Sequence, residues 1–211
     1  MRFLITGFEP FGGYTQNVSW VVANEIASRG VSGAELFVEP MPVSFACVGY
    51  SLHRAIERHM PDVVIMLGQA GASDCIRLER IAINMMDSAM ADNDGYTPNE
   101  EWIYDTAPSA LFCNLPIKML CSAIREQKIP VKISNSCGLY VCNRVYFEAL
   151  RLCNERAIKA IFLHLPLFEG QEQPQGKPKH TMPLADMTRA IVTIIDKITE
   201  TTKIDDTNRE I

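Results

Sequence analysis

One segment of the chain, SNSCGLYVCNR at residues 134–144, has the residue types and spacing to present a nucleophile. The run from Val131 alternates like a β-strand, Gly138 interrupts it, and from Tyr140 onward apolar residues recur at helical spacing. Cys142 is therefore predicted in the first turn of a helix that follows a strand and a glycine turn. Unpaired backbone N–H groups and the positive end of the helix dipole stabilise an anion there, so we expect this thiol to ionise more easily than an ordinary cysteine.

A second cysteine in the same segment, Cys137, is the rival nucleophile. It precedes Gly138 and would lie at the tip of the strand rather than at the start of the helix, so it ranks second. The chain has seven cysteines, an odd number, with neither a CxxC pair nor a zinc-binding spacing. Most of them are therefore expected to be reduced, buried, small apolar residues, and no metal is expected.

A cysteine nucleophile needs a base that accepts its proton, and four histidines are available. His164 ends a strongly apolar run and is the preferred base. A structural role in the core remains the alternative reading of this residue. His53 and His59 fall on a polar helix face, and His180 falls in a polar loop, where an exposed position is expected.

The base in turn needs an acid that orients it, and Glu79 is the candidate because it enters the apolar run RIAI. A carboxylate beside such a run is costly unless it is paired. Arg80 could be that partner, which is the structural alternative. Spacing alone thus favours the set Glu79, Cys142 and His164 as a catalytic triad and leaves the structural reading open.

Strand and helix patterns alternate along the chain, which predicts one α/β domain over residues 1–211 with helices on both faces of an open, largely parallel sheet. Predicted strands cover residues 2–6, 35–39, 62–67, 76–84, 131–134 and 160–164. The first predicted helix begins at Asn17 or Ser19 and ends near residue 28, and the other predicted helices cover 45–58, 115–127, 140–156 and 184–199. Polar loops are expected at 86–109 and 169–179, and a frayed polar tail at 200–211. In such folds sites form beyond the carboxyl ends of the strands. Phe8, Phe11, Gln69, Cys142 and His164 all follow or end predicted strands and are expected to meet there.

Composition excludes several classes of partner. The formal net charge of −5 and the absence of a basic stripe argue against nucleic acid. No apolar run approaches the roughly 18 residues of a membrane-spanning helix, and the apolar run at the N-terminus is too short for a signal peptide. A cytoplasmic protein that does not bind membranes is expected.

Eight motifs spread over almost the whole chain carry a resemblance to a known family. They are LITGFEPFGG (4–13), GQAG (68–71), ERIAIN (79–84), ADN (91–93), LPIK (115–118), SNS (134–136), YVCN (140–143) and FLHLP (162–166). Their types and order resemble those of the pyroglutamyl peptidases, a family of cytoplasmic cysteine peptidases. The resemblance implies an α/β/α sandwich with a twisted mixed sheet, often assembled as a homotetramer.

The resemblance also implies roles for individual residues. Glu79, Cys142 and His164 would be the catalytic triad, acting without metal or cofactor on peptides that begin with pyroglutamate. This flat, uncharged lactam would lie between the rings of Phe8 and Phe11 and bind the backbone at Gln69. Tyr140 and Val141 would line the same pocket.

One departure from the family pattern affects the expected activity. The family often has an arginine, associated with the oxyanion region, where this chain has Ala89. The loss leaves open a second function, a non-catalytic module of the same fold that binds a small ligand. A dinucleotide site is a poor third reading, because GQAG follows a strand but the GxGxxG spacing is absent.

Overall fold

In the computed structural model, residues 1–174 and 180–209 are described, with the backbone alone for 203–209. Within these ranges there are ten strands: β1 Arg2–Phe8, β2 Glu35–Met41, β3 Val63–Gln69, β4 Ile76–Glu79, β5 Ile81–Ile83, β6 Ala110–Phe112, β7 Val131–Ser134, β8 Lys159–Leu165, β9 Leu167–Phe168 and β10 Thr181–Met182. The helices are α1 Val18–Arg29, α2 Val48–His59, α3 Ile117–Glu126, α4 Val141–Glu155 and α5 Leu184–Arg209.

A six-stranded sheet in the order β2-β1-β3-β8-β4-β7 forms the centre of the molecule. Helices α1, α3 and α5 pack on one face, and α2 and α4 pack on the other. Strand β3 is buried at every residue, which explains its continuous apolar sequence. The predicted α/β fold with a mostly parallel, mixed sheet is confirmed.

From the sequence, all site residues are expected to follow the carboxyl ends of strands at one edge of the sheet. The directions of β4 and β7 correct this expectation. Strands β1, β2, β3 and β8 run parallel, but β4 pairs antiparallel with β8, and β7 runs parallel with β4. Only six residues, 70–75, connect β3 to β4. A parallel crossover needs about a dozen residues or more, so the chain turns at the same edge and runs back. Strand β7 therefore does not deliver Cys142 from the edge at which β1, β3 and β8 end.

The predicted strand 76–84 is two strands in two sheets. Strand β4 belongs to the central sheet, whereas β5 pairs antiparallel with β6 in a separate two-stranded sheet. The chain changes sheets at Arg80, whose N–H donates to Ser134 while its carbonyl accepts from Cys113. A continuous apolar run does not reveal such a change of partner, and β6, β9 and β10 are too short to show a periodicity.

Helix α5 ends at Arg209, beyond the predicted end at Thr199, so the expected frayed tail is helical over its described part. Hydroxyl groups of Thr201 and Thr202 donate to carbonyls one turn earlier. Residues 200–209 include no glycine or proline that would stop the helix. Residues 175–179 of the predicted loop 169–179, and residues 210–211 of the tail, lie outside the described residues. Within the described ranges, no helix combines the length and the hydropathy that crossing a bilayer requires.

Candidate active site

The centre of the site is a buried pair formed by Glu79 of β4 and His164 of β8. Arg77 lies directly opposite His164 in the antiparallel pairing of these strands, so Glu79, two residues further along β4, lies diagonally across on the same face. The Nδ1–H group of His164 donates to Oε1 of Glu79 at 2.8 Å, because a carboxylate can only accept. Both side chains are almost completely buried. This hydrogen bond leaves Nε2 as the ring nitrogen that can accept a proton.

Gly68 makes room for the imidazole ring. It lies beside His164 in the parallel pairing of β3 with β8. A Cβ atom at this position would lie 3.1 Å from Cδ2 of His164 and 2.7 Å from Cζ of Phe162. The GQAG motif thus supplies a glycine where the rings of His164 and Phe162 need space.

The start of α4 provides backbone donors beside Cys142. The preceding Gly138 has φ 82°, a left-handed conformation that favours glycine, and Val141 is the first residue of the helix. The first N–H that bonds back into the helix is that of Asn143, which donates to the carbonyl of Tyr140. The earlier amides, including those of Val141 and Cys142, have no acceptor within the helix and suit an anion.

Two buried side chains that the sequence reasoning missed fix α4 against β4 and β5. Asn143 accepts from the N–H of Ile83 at 2.9 Å and donates to the carbonyls of Ile83 and Met85 at 2.7 and 2.9 Å. The hydroxyl of Tyr146 donates to the carbonyl of Glu79 at 2.9 Å. These bonds fix the helix that carries Cys142 relative to the strand that carries Glu79. The sequence does show a side-chain amide, that of Asn143, in the first turn of a helix face that is otherwise apolar, and this could have indicated a buried polar contact.

The residues expected to bind the substrate lie together. One cavity is lined by Phe8, Phe11, Asn17, Val43, Gln69, Tyr140, Val141 and Cys142. All of these side chains are uncharged. The cavity volume of about 10 Å³ leaves room for about one water molecule, so the aromatic residues must move apart before a lactam ring can enter. The rings of Phe11 and Tyr140, whose centroids are 6.1 Å apart, form part of this closed wall.

Gln69 connects this closed cavity to a larger one of about 230 Å³, which Phe11, Tyr14 and Met90 also line. Its side-chain oxygen accepts from the N–H of Val18 at 3.2 Å and from Gln171 at 2.8 Å. The side chain of Gln69 is therefore already engaged with the protein.

The electrostatics of Cys142 contradict the expectation of an easily ionised thiol. Burial, and then the negative charge of Glu79, raise the pKa of Cys142 to about 12. The positive charge of Arg77 and the backbone N–H of Cys142 act in the opposite direction but do not outweigh burial. The thiol is therefore protonated at neutral pH and would have to lose its proton to act as a nucleophile.

The pKa of His164 is shifted in the direction that suits a base. Burial lowers the pKa of His164, and the positive charge of Arg77 adds to this effect, although Glu79 opposes it. The imidazole is therefore neutral at pH 7 and able to accept a proton.

The other candidates from the sequence lie in different surroundings. The thiol of Cys137 is buried and donates to Oδ1 of Asn143 at 3.5 Å, and burial raises its pKa well above the ordinary value. His59, at the end of α2, is partly buried rather than exposed and contacts Glu39 at 2.7 Å, whereas His53 lies at the surface of that helix and His180 is exposed. Ala89, where the family often has an arginine, is exposed.

The arginine beside Glu79 is Arg77, not Arg80. Nε of Arg77 lies 3.7 Å from Oε1 of Glu79. Arg80 lines a surface cavity with Leu115 and Lys118 instead. The alternation of side chains along a strand explains the difference, because residues 77 and 79 point to the same face.

The chain is similar to known proteins along almost its whole length. The family model of pyroglutamyl peptidase matches residues 1–201. The pyrrolidone-carboxylate peptidase of Thermococcus onnurineus is 44% identical over 197 residues, which cover 92% of this chain and 97% of the relative. A solved pyrrolidone carboxyl peptidase from Thermococcus litoralis superposes with a TM-score of 0.89 at 34% identity, covering 97% of this chain and 96% of that one. The pyroglutamyl peptidase I of Bacillus amyloliquefaciens gives a TM-score of 0.86 at 32% identity, with 91% of each chain covered.

Proposed function

This chain belongs to the pyroglutamyl peptidase family of cysteine peptidases, and we propose that Cys142, His164 and Glu79 are the residues that carry out its hydrolysis of the bond after an N-terminal pyroglutamyl residue. The observation that carries the assignment is the buried hydrogen bond between His164 and Glu79, on the sheet face against which α4 presents Cys142. A neutral imidazole with an orienting carboxylate suits a base for a protonated thiol.

The first half of the reaction forms a thioester. As the sulfur of Cys142 attacks the pyroglutamyl carbonyl carbon, its proton passes to Nε2 of His164, and Glu79 stabilises the imidazolium that results. The backbone N–H groups of Val141 and Cys142 are the proposed donors to the oxyanion. The C–N bond then breaks, and His164 gives its proton to the leaving amine.

The second half releases pyroglutamate. His164 accepts a proton from a water molecule, and the resulting hydroxide attacks the thioester carbon. The C–S bond breaks, the proton returns to the sulfur, and the enzyme is restored. Because burial holds the pKa of Cys142 high, the thiol and imidazole are both neutral before each cycle.

The uncharged cavity supports selection of the lactam. Phe8 and Phe11 offer apolar faces to a flat ring, and the backbone of Gln69, a residue of the same cavity, is the proposed hydrogen-bonding partner of the lactam. A peptide with an ordinary N-terminus would bring a charged ammonium group into a site without a counter-charge. Burying that charge, and leaving the polar groups for the lactam unpaired, costs several kcal/mol by general experience with such sites.

Release of a fluorophore from a pyroglutamyl-aminocoumarin tests these roles. We expect turnover by the parent, loss of turnover in Cys142→Ala, and retention in Cys137→Ala, which removes the neighbouring thiol. Turnover that is retained in Cys142→Ala and lost in Cys137→Ala would make Cys137 the nucleophile instead. The alternative of a non-catalytic module predicts binding of pyroglutamate without turnover, and the curated relatives, which are peptidases, do not favour it.

We further propose that the chain forms a homotetramer in the cytoplasm, by resemblance to the family. The exposure of large apolar side chains, namely those of Tyr50, Met60, Trp102 and Phe112, supports assembly. Light scattering should give about four times the chain mass of 23.6 kDa. A monomer mass would contradict the assembly, and recovery in a membrane fraction would contradict the location.

A further inference from the structure

Two cationic side chains lie beside the base in one cross-strand row. His164 of β8 lies opposite Arg77 of β4, and Arg77 lies opposite Lys132 of β7, so all three side chains share one face of the sheet. Like charges directly opposite each other on a sheet are destabilising. Glu79 lies 3.7 Å from Nε of Arg77, and Asp74 lines the same cavity as Lys132, so each cation has a carboxylate in its surroundings while the two cations lie side by side.

Arg77 is only partly satisfied by the protein. Its Nε atom is 3.7 Å from Glu79, beyond hydrogen-bond distance, and among the described residues this buried Nε has no hydrogen-bond partner. About 29% of its side chain is exposed, and Lys132 is also exposed. The exposed part of each side chain is therefore open to a ligand, whereas Nε of Arg77 is not.

The row lines a polar cavity of about 330 Å³. His164, Arg77, Lys132, Asp74 and Cys137 contribute to its wall. Arg77, Lys132 and the carboxylate of Asp74 give the wall itself one net positive charge while His164 is neutral, and Glu79, the counter-charge 3.7 Å from Arg77, does not line it. Gln69 lines this cavity as well as the small cavity that Cys142 lines.

The chemistry of the leaving group connects this cavity to the substrate. In the proposed reaction His164 protonates the amine of the residue that follows pyroglutamate. That residue must therefore leave on the side of His164, where the cavity with Arg77 and Lys132 lies. The uncharged cavity holds the lactam, and the cationic cavity faces the rest of the peptide.

We propose that the cavity lined by Arg77 and Lys132 binds the residue after pyroglutamate and selects a carboxylate there. The carboxylate can be an acidic side chain or the free C-terminus of a pyroglutamyl dipeptide, because both present the same planar anion to a guanidinium. This inference rests on the proposed function. It specifies the substrate class of the enzyme as short peptides with negative charge next to pyroglutamate.

Three matched peptides test the inference: pyroglutamyl-glutamate amide, pyroglutamyl-glutamine amide and pyroglutamyl-glutamine with a free carboxylate. We expect kcat/KM for each acidic peptide to exceed that for the neutral amide by on the order of tenfold at low salt. The two acidic peptides distinguish a side-chain carboxylate from a terminal one. Added salt should reduce the preference, since both cations are partly exposed to solvent.

Variants identify the residues responsible. Arg77→Gln and Lys132→Gln should each lower the ratio of acidic to neutral kcat/KM, whereas Lys159→Gln, at the opposite end of β8, should leave it unchanged. The ratio cancels any general loss of catalysis caused by the closeness of Arg77 to Glu79. If Arg77→Gln does not fold, Lys132→Gln still tests the cavity.

Two results separate this inference from the proposed function. Equal kcat/KM values for the three peptides, or an unchanged ratio in both variants, would overturn the inference while the peptidase activity stands. Absence of turnover of the neutral amide and of both acidic peptides by the parent would overturn the proposed function, and the inference with it.

Discussion

Replacement of Glu79 by glutamine tests the proposed triad through its buried carboxylate. Glutamine keeps the size of the side chain but removes the charge that the Nδ1–H of His164 contacts at 2.8 Å. Unit charges about 4 Å apart interact by about 4 kcal/mol at an effective dielectric constant of about 20, and a charge-assisted hydrogen bond contributes about 1.5–3 kcal/mol. We take about 2–4 kcal/mol as the loss of imidazolium stabilisation. This loss corresponds to about a 30- to 1,000-fold fall in kcat.

Two further effects of Glu79→Gln should also lower kcat. If the amide N–H₂ group of glutamine faces Nδ1, the ring must carry its proton on Nε2 and can no longer accept one from Cys142. Arg77, 3.7 Å from Glu79, would also lose its counter-charge and disfavour the imidazolium. KM should change little, because Glu79 does not line the cavity proposed for the lactam.

The assay is steady-state release of aminocoumarin from its pyroglutamyl amide, with folding checked by thermal unfolding. Glu148→Gln is the matched control, because Glu148 is also a buried glutamate but pairs with Arg144 and Arg151 on α4. It should lower thermal stability and leave kcat within about threefold of the parent. A Glu79→Gln variant with kcat equally close to the parent would remove Glu79 from the mechanism.

Three further predictions follow from individual sites. Because burial lowers the pKa of His164, the acid limb of kcat/KM should have its midpoint below pH 6.5; a midpoint above pH 6.5 would contradict a buried neutral base. Gly68→Ala should lower kcat by on the order of 100-fold, since its Cβ would displace the ring of His164 or Phe162, and parent-like kinetics would show that the ring tolerates the change. Burial alone would raise the pKa of Glu148, but hydrogen bonds from Tyr104, Arg151 and Arg144 outweigh it and lower this pKa. Denaturant unfolding should therefore show that Glu148→Gln loses its full amount of stability above about pH 4.5. This loss should become smaller as the pH falls through the lowered pKa of Glu148, and a loss that does not depend on pH would contradict the prediction.

Local signals in the sequence account for much of the fold. Asn17 or Ser19 is expected to open the first helix, and the side chain of Asn17 accepts from the N–H of Ser19. The apolar run at residues 62–67 predicts a strand, and β3 is buried at every residue. These features depend on a few neighbouring residues and on burial, which the order of residues records directly.

The residues of β4 and β7 do not themselves show in which direction these strands run. Six residues between β3 and β4 are too few for a parallel crossover, and this length could have been used to predict the reversal. The change of sheet at Arg80 had no comparable signal, because β5 continues the apolar run of β4. Pairing partners are set by the whole sheet rather than by the strand itself.

Within the site, residue types were easier to recognise than their electrostatics. Glu79, Cys142 and His164 were selected from spacing and resemblance, but the ease with which Cys142 ionises was misjudged. The helix terminus was visible in the sequence, whereas the burial that raises the pKa of Cys142 to about 12 arises only from packing. Arg77 was overlooked because its position opposite His164 depends on the antiparallel register of β4 with β8.

In the proposed mechanism the sulfur of Cys142 forms a covalent bond with the pyroglutamyl group. Rapid acid quenching during turnover, followed by mass spectrometry of the digested protein, measures this bond directly. We expect a pyroglutamyl thioester on the peptide that contains Cys142, with a larger yield when hydrolysis is slowed. Turnover with no acyl group on any cysteine, or with the acyl group on Cys137, would contradict this mechanism.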